Sequence, residues 1–164
     1  PPRPGKAARV TGTDDAPAPK GLVPTHGPRR RARIACVQAL YRADVVGDAL
    51  SAVRDEVAAD TGLPDEARDY AGRLLWLVEE RGKEIDATIS AALTRWDLKR
   101  LAVIDRAVLR MATAEVLFAP EVPVQVLLNE AIEIAKRFGS NESGRFVNGV
   151  LDRIAREQRG KEAE

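Results

Sequence analysis

The stretch Leu101-Ala102-Val103-Ile104-Asp105-Arg106-Ala107-Val108-Leu109-Arg110-Met111 decides the fold. Leu101, Ile104, Val108, Leu109 and Met111 recur at helical steps and make an apolar face broad enough for the central helix of an all-α protein. Pro120 and Pro123 fix its end, because proline neither donates to a helix interior nor fits there. Downstream, Val124, Leu127, Leu128, Ile132, Ile134 and Ala135 turn one face of a second helix inward, and Gly139 stops it. Ser140 or Asn141 caps a last helix to about Gln158, with Phe146, Val147, Val150, Leu151 and Ile154 buried. Upstream, residues 66–93 read as one long helical stretch carrying Tyr70, Leu74, Leu77, Val78, Ile85, Ile89 and Leu93. Gly82 bends or splits it, because glycine costs ~1 kcal/mol in a helix interior. Pro64 suits its first turn, followed by Asp65 and Glu66 where the dipole favours acids. Trp96 and Asp97 mark the next junction, with Asp97 as a cap. The first helix places Ile34, Val37, Leu40, Tyr41 and Val45 on one face and ends at Gly47. Asp48 caps a short second helix that Thr61-Gly62 breaks. No strand-like alternation or hairpin turn appears, and Asn148-Gly149 falls inside a helical pattern. The expectation is all-α, with about seven helices.

Composition agrees. Aromatic residues are only 4% of the 164, so Ala, Val, Leu and Ile must build the core, a mix that favours helices over a β-sandwich. The lone Cys36 excludes a disulfide framework and any cysteine-based zinc site, and fits a reducing compartment. No apolar run approaches the ~20 residues of a membrane span. The opening residues carry no apolar signal-peptide core. Residues 1–28 hold seven of the ten prolines and almost no large apolar side chain, so a disordered tail is expected there, with residues 29–164 as the helical body. The formal net charge of +1 conceals an asymmetry: residues 1–33 carry +6 and the remainder −5. A basic end on a mildly acidic body suits contact with a polyanion.

Catalytic constellations are absent. The single histidine, His26, lies in the tail, so no Ser-His-Asp set or His/Cys metal site assembles, and no glycine-rich phosphate loop appears. Glu130 and Glu133, at i,i+3, read as a solvated face beside Lys136 and Arg137, with Glu133–Arg137 at i,i+4. No enzyme, metal or cofactor is expected. The positive signal is Arg29-Arg30-Arg31-Ala32-Arg33 leading into the first helix. Guanidinium groups grip phosphates through paired donors and stack on bases, and like charges at a helix start oppose its dipole, so a partner is implied. A second signal is Arg145-Phe146-Val147-Asn148-Gly149, where Asn and Gly are poor helix formers and Gly149 is expected to allow close approach of another helix.

These blocks together resemble the NusB family of transcription antitermination factors. The resemblance rests on Arg29–Arg33 with Val37-Gln38-Ala39-Leu40-Tyr41, on Asp105-Arg106-Ala107-Val108-Leu109-Arg110, on Val122-Pro123 before Asn129-Glu130-Ala131-Ile132-Glu133-Ile134-Ala135-Lys136, and on Phe146-Val147-Asn148-Gly149-Val150-Leu151-Asp152. It spans effectively all of the body and implies two three-helix halves packed crosswise with a linking helix. It also implies a cytoplasmic factor that binds boxA RNA of ribosomal transcripts with NusE, a ribosomal small-subunit protein, alongside NusA and NusG on RNA polymerase. Carried over by position, Arg29, Arg30, Arg31 and Arg33 are the arginine-rich RNA-binding motif. Arg145 and Phe146 are a second RNA-facing patch, and Glu142 is an acid beside the RNA that weakens phosphate contact. Tyr41 and Asp105 fall on the NusE-facing surface. Two alternatives remain open. One is a detached RNA-binding module of an rRNA methyltransferase type; such enzymes need a further Rossmann-type domain with cysteines, and this chain runs to Glu164 with its one cysteine upstream. The other is a helical homodimer without nucleic acid.

Overall fold

The computed structural model describes residues 27–95 and 97–163. Residues 1–26 of the expected tail and the junction residue Trp96 lie outside the described residues. Seven α-helices follow: α1 Pro28–Val46, α2 Leu50–Ala58, α3 Asp65–Glu80, α4 Gly82–Ala92, α5 Val103–Phe118, α6 Val124–Phe138 and α7 Asn141–Arg159. Among the described residues there is no strand.

Local chemistry accounts for most boundaries. Pro28 opens α1 at a position where its missing N–H costs nothing, and Gly47 ends it at φ 88°, the left-handed conformation that favours glycine. The 66–93 stretch is indeed split: α3 stops at Glu80 and α4 begins at Gly82. Ser140 accepts from the Ser143 N–H at 3.1 Å and caps α7. Two expected caps differ. Asp97 accepts from the Lys99 N–H at 3.3 Å, which closes a single 3₁₀ turn, Leu98–Arg100, and α5 starts one turn later after Ala102. Asp48 lies 3.6 Å from Arg42 in an ion pair, and α2 starts after Ala49 with no side-chain cap.

Helices α1, α2 and α3 pack on one another, as do α5, α6 and α7, and α4 links the halves by packing on α3, α5 and α7. The spine is α5, which touches α1, α3, α4, α6 and α7. Ala107, Val108, Leu109, Met111, Ala112, Thr113, Ala114, Glu115 and Val116 are all buried, so the helix is enclosed on every side. On α1 the buried arc is Ala32, Arg33, Cys36, Val37, Ala39 and Leu40. Tyr41 and Val45, expected on the buried face, are 44% and 56% exposed. At 100° per residue they share a stripe with half-buried Ile34, roughly a quarter-turn round from the Arg33–Leu40 line.

One polar cluster crosses this apolar interior. Arg33 of α1 donates through Nε and Nη2 to the two oxygens of Glu115 on α5, at 2.6 and 2.9 Å, and the Tyr70 hydroxyl of α3 donates to Glu115 Oε2 at 2.6 Å. Burial works against the Arg33 charge, but the hydrogen bonds and charge of Glu115 outweigh it. Burial likewise pushes the Cys36 thiol up, so Cys36 is a neutral core side chain. At this same end of α5, Arg159 donates to the carbonyls of Glu115, Val116 and Ala119 at 3.0, 3.0 and 2.9 Å and closes the helix C-terminus from α7.

Arg33→Met leaves the Glu115 carboxylate buried with only a tyrosine donor and should cost about 3–5 kcal/mol in urea unfolding. The double variant Arg33→Met/Glu115→Gln, with no buried charge, should recover a large part of that loss. Desolvation, then the charge and hydrogen bond of Glu115, push the Tyr70 hydroxyl up to about 12, from an ordinary value of about 10. A raised folded-state value stabilises the fold fully below pH ~10, and that contribution drains away as pH climbs through about 12. The stability difference between the parent and Tyr70→Phe should therefore stay constant to pH ~10 and shrink above it.

Candidate nucleic-acid interface

The arginine cluster occupies the first turns of α1, where Gly27 offers no capping side chain and no acid sits in the first turn. The helix period sends its members in different directions. Arg29 is exposed, its guanidinium 3.8 Å from the centre of the Tyr70 ring and 4.0 Å from Glu66. Arg30 forks onto Glu130 of α6 through Nε and Nη2 at 2.7 and 2.9 Å. Arg31 donates to the Gly62 carbonyl at 2.9 Å. Arg33 departs from expectation: it is 3% exposed and spends its fork on Glu115, so it has no surface to offer a phosphate. Glu130, expected on a solvated face, is the anchor of Arg30, and Glu133 pairs with Lys136 at 3.8 Å. No cluster of His, Cys, Asp or Glu able to hold a metal exists among the described residues.

A second group of candidates gathers at the start of α7. Phe146 is half-buried and forms a ridge between two cavities. On one side is a cavity of about 390 Å³ lined by Arg100, Asp105, Ser140, Glu142, Ser143 and the ring itself. On the other is one of about 300 Å³ whose lining includes Thr94, Arg145, Gly149 and Arg153. Arg145 forms no ion pair or hydrogen bond among the described residues, and Arg153 lies 3.6 Å from Glu157. Asp105, in the first turn of α5, has one carboxylate oxygen, Oδ1, that is buried with no hydrogen-bond partner among the described residues.

The expected sites are thus redistributed. The antiparallel pairing of α1 with α5, fixed by Arg33–Glu115 at one end and Asp44–Arg106 at the other, places the arginine cluster at the C-terminal end of α5. Asp105 stands ten residues earlier in α5, about 15 Å along its axis. Asp105, expected on the partner-facing side, shares a cavity with Glu142 and Phe146, which were expected on the RNA side. Tyr41 stays apart on α1, with Val45 and Val46 exposed beside it. Ser140, Ser143, Arg100 and Arg153 join the sites unannounced; only the eight-residue spacing of Arg145 and Arg153 around a helix hinted at a shared face. Gly149 also differs from expectation. A Cβ there would meet nothing within 4 Å, whereas the close approach of α6 and α7 is at Gly144, whose Cβ would stand 2.7 Å from Lys136 Cγ.

With this geometry in place, comparison with known proteins is decisive. The NusB family profile matches residues 30–156. The chain belongs to the NusB family. It is 45% identical over 135 residues to a transcription antitermination protein NusB of Thermotoga maritima, covering 82% of this chain and 95% of that one. The solved NusB structure from T. maritima superposes with a TM-score of 0.76 at 43% identity, over 85% of this chain and 98% of the other. A crystal structure of the antitermination factors NusB and NusE in complex with dsRNA superposes with a TM-score of 0.72 at 27% identity, over 79% and 97%.

Because Gly149 sits in mid-helix with open space around its Cβ, Gly149→Ala should raise the stability of this NusB-family fold by about 0.5–1 kcal/mol in thermal or urea unfolding.

Proposed function

We propose that the chain binds boxA-type RNA of ribosomal transcripts together with a NusE-type ribosomal protein, and that the pair serves antitermination on RNA polymerase beside NusA and NusG. The observation that carries the reading is the Phe146 ridge, with Arg145, which has no ion pair or hydrogen bond among the described residues, in the cavity on one side and hydrogen-bonding groups in the cavity on the other. An aromatic edge with basic side chains near it is a stacking platform for an unpaired base, tolerant of sequence and sensitive to salt. Arg29 and Arg31 add phosphate contacts at the far end of α5, and Arg30 contributes what its pairing with Glu130 leaves free. Glu142, exposed on the rim of the Asp105 cavity, trims affinity for phosphate. Tyr41, Val45 and Val46 form the surface on which the protein partner docks, because an exposed aromatic with neighbouring aliphatics is the kind of patch a partner covers.

Binding of a boxA-type RNA, followed by fluorescence anisotropy across a salt series, tests the reading. Each single-strand phosphate neutralised steepens the log–log slope by about −0.7, so Arg29→Ala/Arg31→Ala should be shallower by roughly 0.7–1.4 with unchanged helicity. Equal slopes would remove the α1 arginines from the RNA site. In calorimetry with the NusE-type partner, Tyr41→Glu/Val45→Glu should weaken association at least about tenfold, since two charges are desolvated against an apolar contact.

A further inference from the structure

Among the described side chains, the cations that form no ion pair or hydrogen bond with another described residue are Lys83, Arg95, Lys99, Arg100 and Arg145. All but Lys83 gather around Phe146. Arg95, Lys99 and Arg100 are exposed on the connection from α4 to α5, residues 93–102, which carries these three cations against one acid, Asp97. The connection flanks the Phe146 ridge from one cavity to the other: Thr94, near its start, lines the Arg145 cavity, and Arg100, near its end, lines the Asp105 cavity. Its backbone is anchored. Leu98 is buried, Asp97 accepts from the Lys99 N–H at 3.3 Å, and Arg106 donates to the carbonyls of Leu98, Lys99 and Leu101 at 3.4 Å. The body thus fixes the turn and leaves the charged ends of Lys99 and Arg100 to solvent. Elsewhere even surface arginines are matched, as Arg42 is by Glu56 and Arg156 by Asp152, so neighbouring cations left unmatched are a departure whose mutual repulsion calls for an anion from outside. Asp105 and Glu142 share the second cavity with Arg100, but one Asp105 oxygen is buried, and Glu142 repels phosphate from the α7 rim. The connection side is therefore the path open to a polyanion.

Resting on the RNA reading above, we propose that the α4–α5 connection is a further RNA-binding element: Arg95, Lys99 and Arg100 hold backbone phosphates of a single strand on one flank of the Phe146 ring, and Arg145 holds them on the other. A base stacked on a ring is gripped by its face alone, and phosphate contacts are what set the course of the strand across it. An acidic protein surface would also pair these cations. The ring set between them favours a strand, in which bases and phosphates alternate. The connection supplies affinity without reading sequence, because every nucleotide presents the same phosphate.

A labelled boxA-type single-stranded RNA, titrated with the full chain by fluorescence anisotropy across a salt series, tests this. Lys99→Gln/Arg100→Gln, with unchanged helicity, should lose one or two contacts, making the log–log slope shallower by roughly 0.7–1.4 and the affinity near 0.1 M salt weaker by about five- to twenty-five-fold. Arg95→Gln alone should give a change of about 0.7. Lys99→Arg/Arg100→Lys keeps both charges and should keep the wild-type slope. Lys83→Gln removes an equally unmatched charge at the opposite end of α4 and should leave the slope unchanged. A Lys99→Gln/Arg100→Gln slope equal to that of the wild type overturns the proposal, and a shallower slope for Arg145→Gln in the same series leaves the RNA reading standing. An equal change from Lys83→Gln would make the effect one of net charge and also overturn it. A wild-type chain that binds no RNA overturns both readings. In calorimetry the Lys99→Gln/Arg100→Gln chain should bind the NusE-type partner as the wild type does; lost partner affinity with an unchanged RNA slope would make the connection a protein contact and overturn its RNA role.

Discussion

The bidentate pair of Arg33 and Glu115 is the constraint on which the rest of the structure depends. Two charges removed from water are tolerable only when geometry is close to ideal and the spare lone pairs are occupied. Both conditions hold here: two short donors from Arg33 and a third from Tyr70 converge on one carboxylate. Because the three groups come from α1, α3 and α5, the pair also sets register. Sliding α1 by one residue along α5 would leave a buried carboxylate and a buried guanidinium unmatched, a far larger penalty than an apolar contact would suffer from the same slip. That register brings Asp44 within 3.0 Å of Arg106 at the opposite end and throws Arg29, Arg30 and Arg31 past the end of the core.

Tyr70 links this interior device to the surface. Its hydroxyl completes the Glu115 shell, and the face of the same ring carries the Arg29 guanidinium at 3.8 Å. A flexible arginine stacked on a fixed ring loses less freedom when it meets a phosphate, so the buried cluster preorganises an exposed one. Arg30 is oriented by a comparable device, the Glu130 fork on α6. Three of the four clustered arginines thus have carboxylates within reach, which explains how a helix whose start opposes its own dipole can still be well formed.

Helix existence and the central place of α5 were legible in the sequence because they depend on local signals: apolar period, proline and glycine stops, and serine capping. The α6 bounds follow from Pro123 and Gly139, and the α3–α4 break from Gly82, without tertiary information. Faces were harder. Tyr41 and Val45 fit a helical apolar stripe, but the neighbour that decides which stripe is buried is α5, reached through a pair 82 residues apart in sequence. The same long-range partner turned Arg33 from a surface cation into a core residue, which no arginine-rich motif can reveal. Gly149 and Gly144 exchange roles for a related reason: both lie on α7, and only the packing of α6 shows which one meets another chain segment. Asp105 was legible as polar on a central helix but not as a neighbour of Glu142 and Phe146, because the α6–α7 return is what carries them to it.

Most of the body's arginines are paired, and that sets how its surface meets a polyanion. Across the body, arginines are held by acids: Arg42 by Glu56, Arg54 by Glu79, Arg106 by Asp44, and Arg110 by Asp86 with a fork of 2.9 and 3.1 Å. Each such pair is weak in stability terms, about 0–1 kcal/mol where exposed, but it neutralises the field that would otherwise attract any polyanion. Non-specific affinity for nucleic acid grows with the number of free cations, so a body of internally balanced arginines has little of it. Against that background Arg145, without an ion pair or hydrogen bond among the described residues, counts for more beside an aromatic ridge than its single charge. The exposed patch of Tyr41, Val45 and Val46 is set apart from both arginine sites, so whatever covers one leaves the other open. The acids that organise the arginines thus leave the body with little uncompensated positive field, and the exposed apolar patch lies clear of what remains.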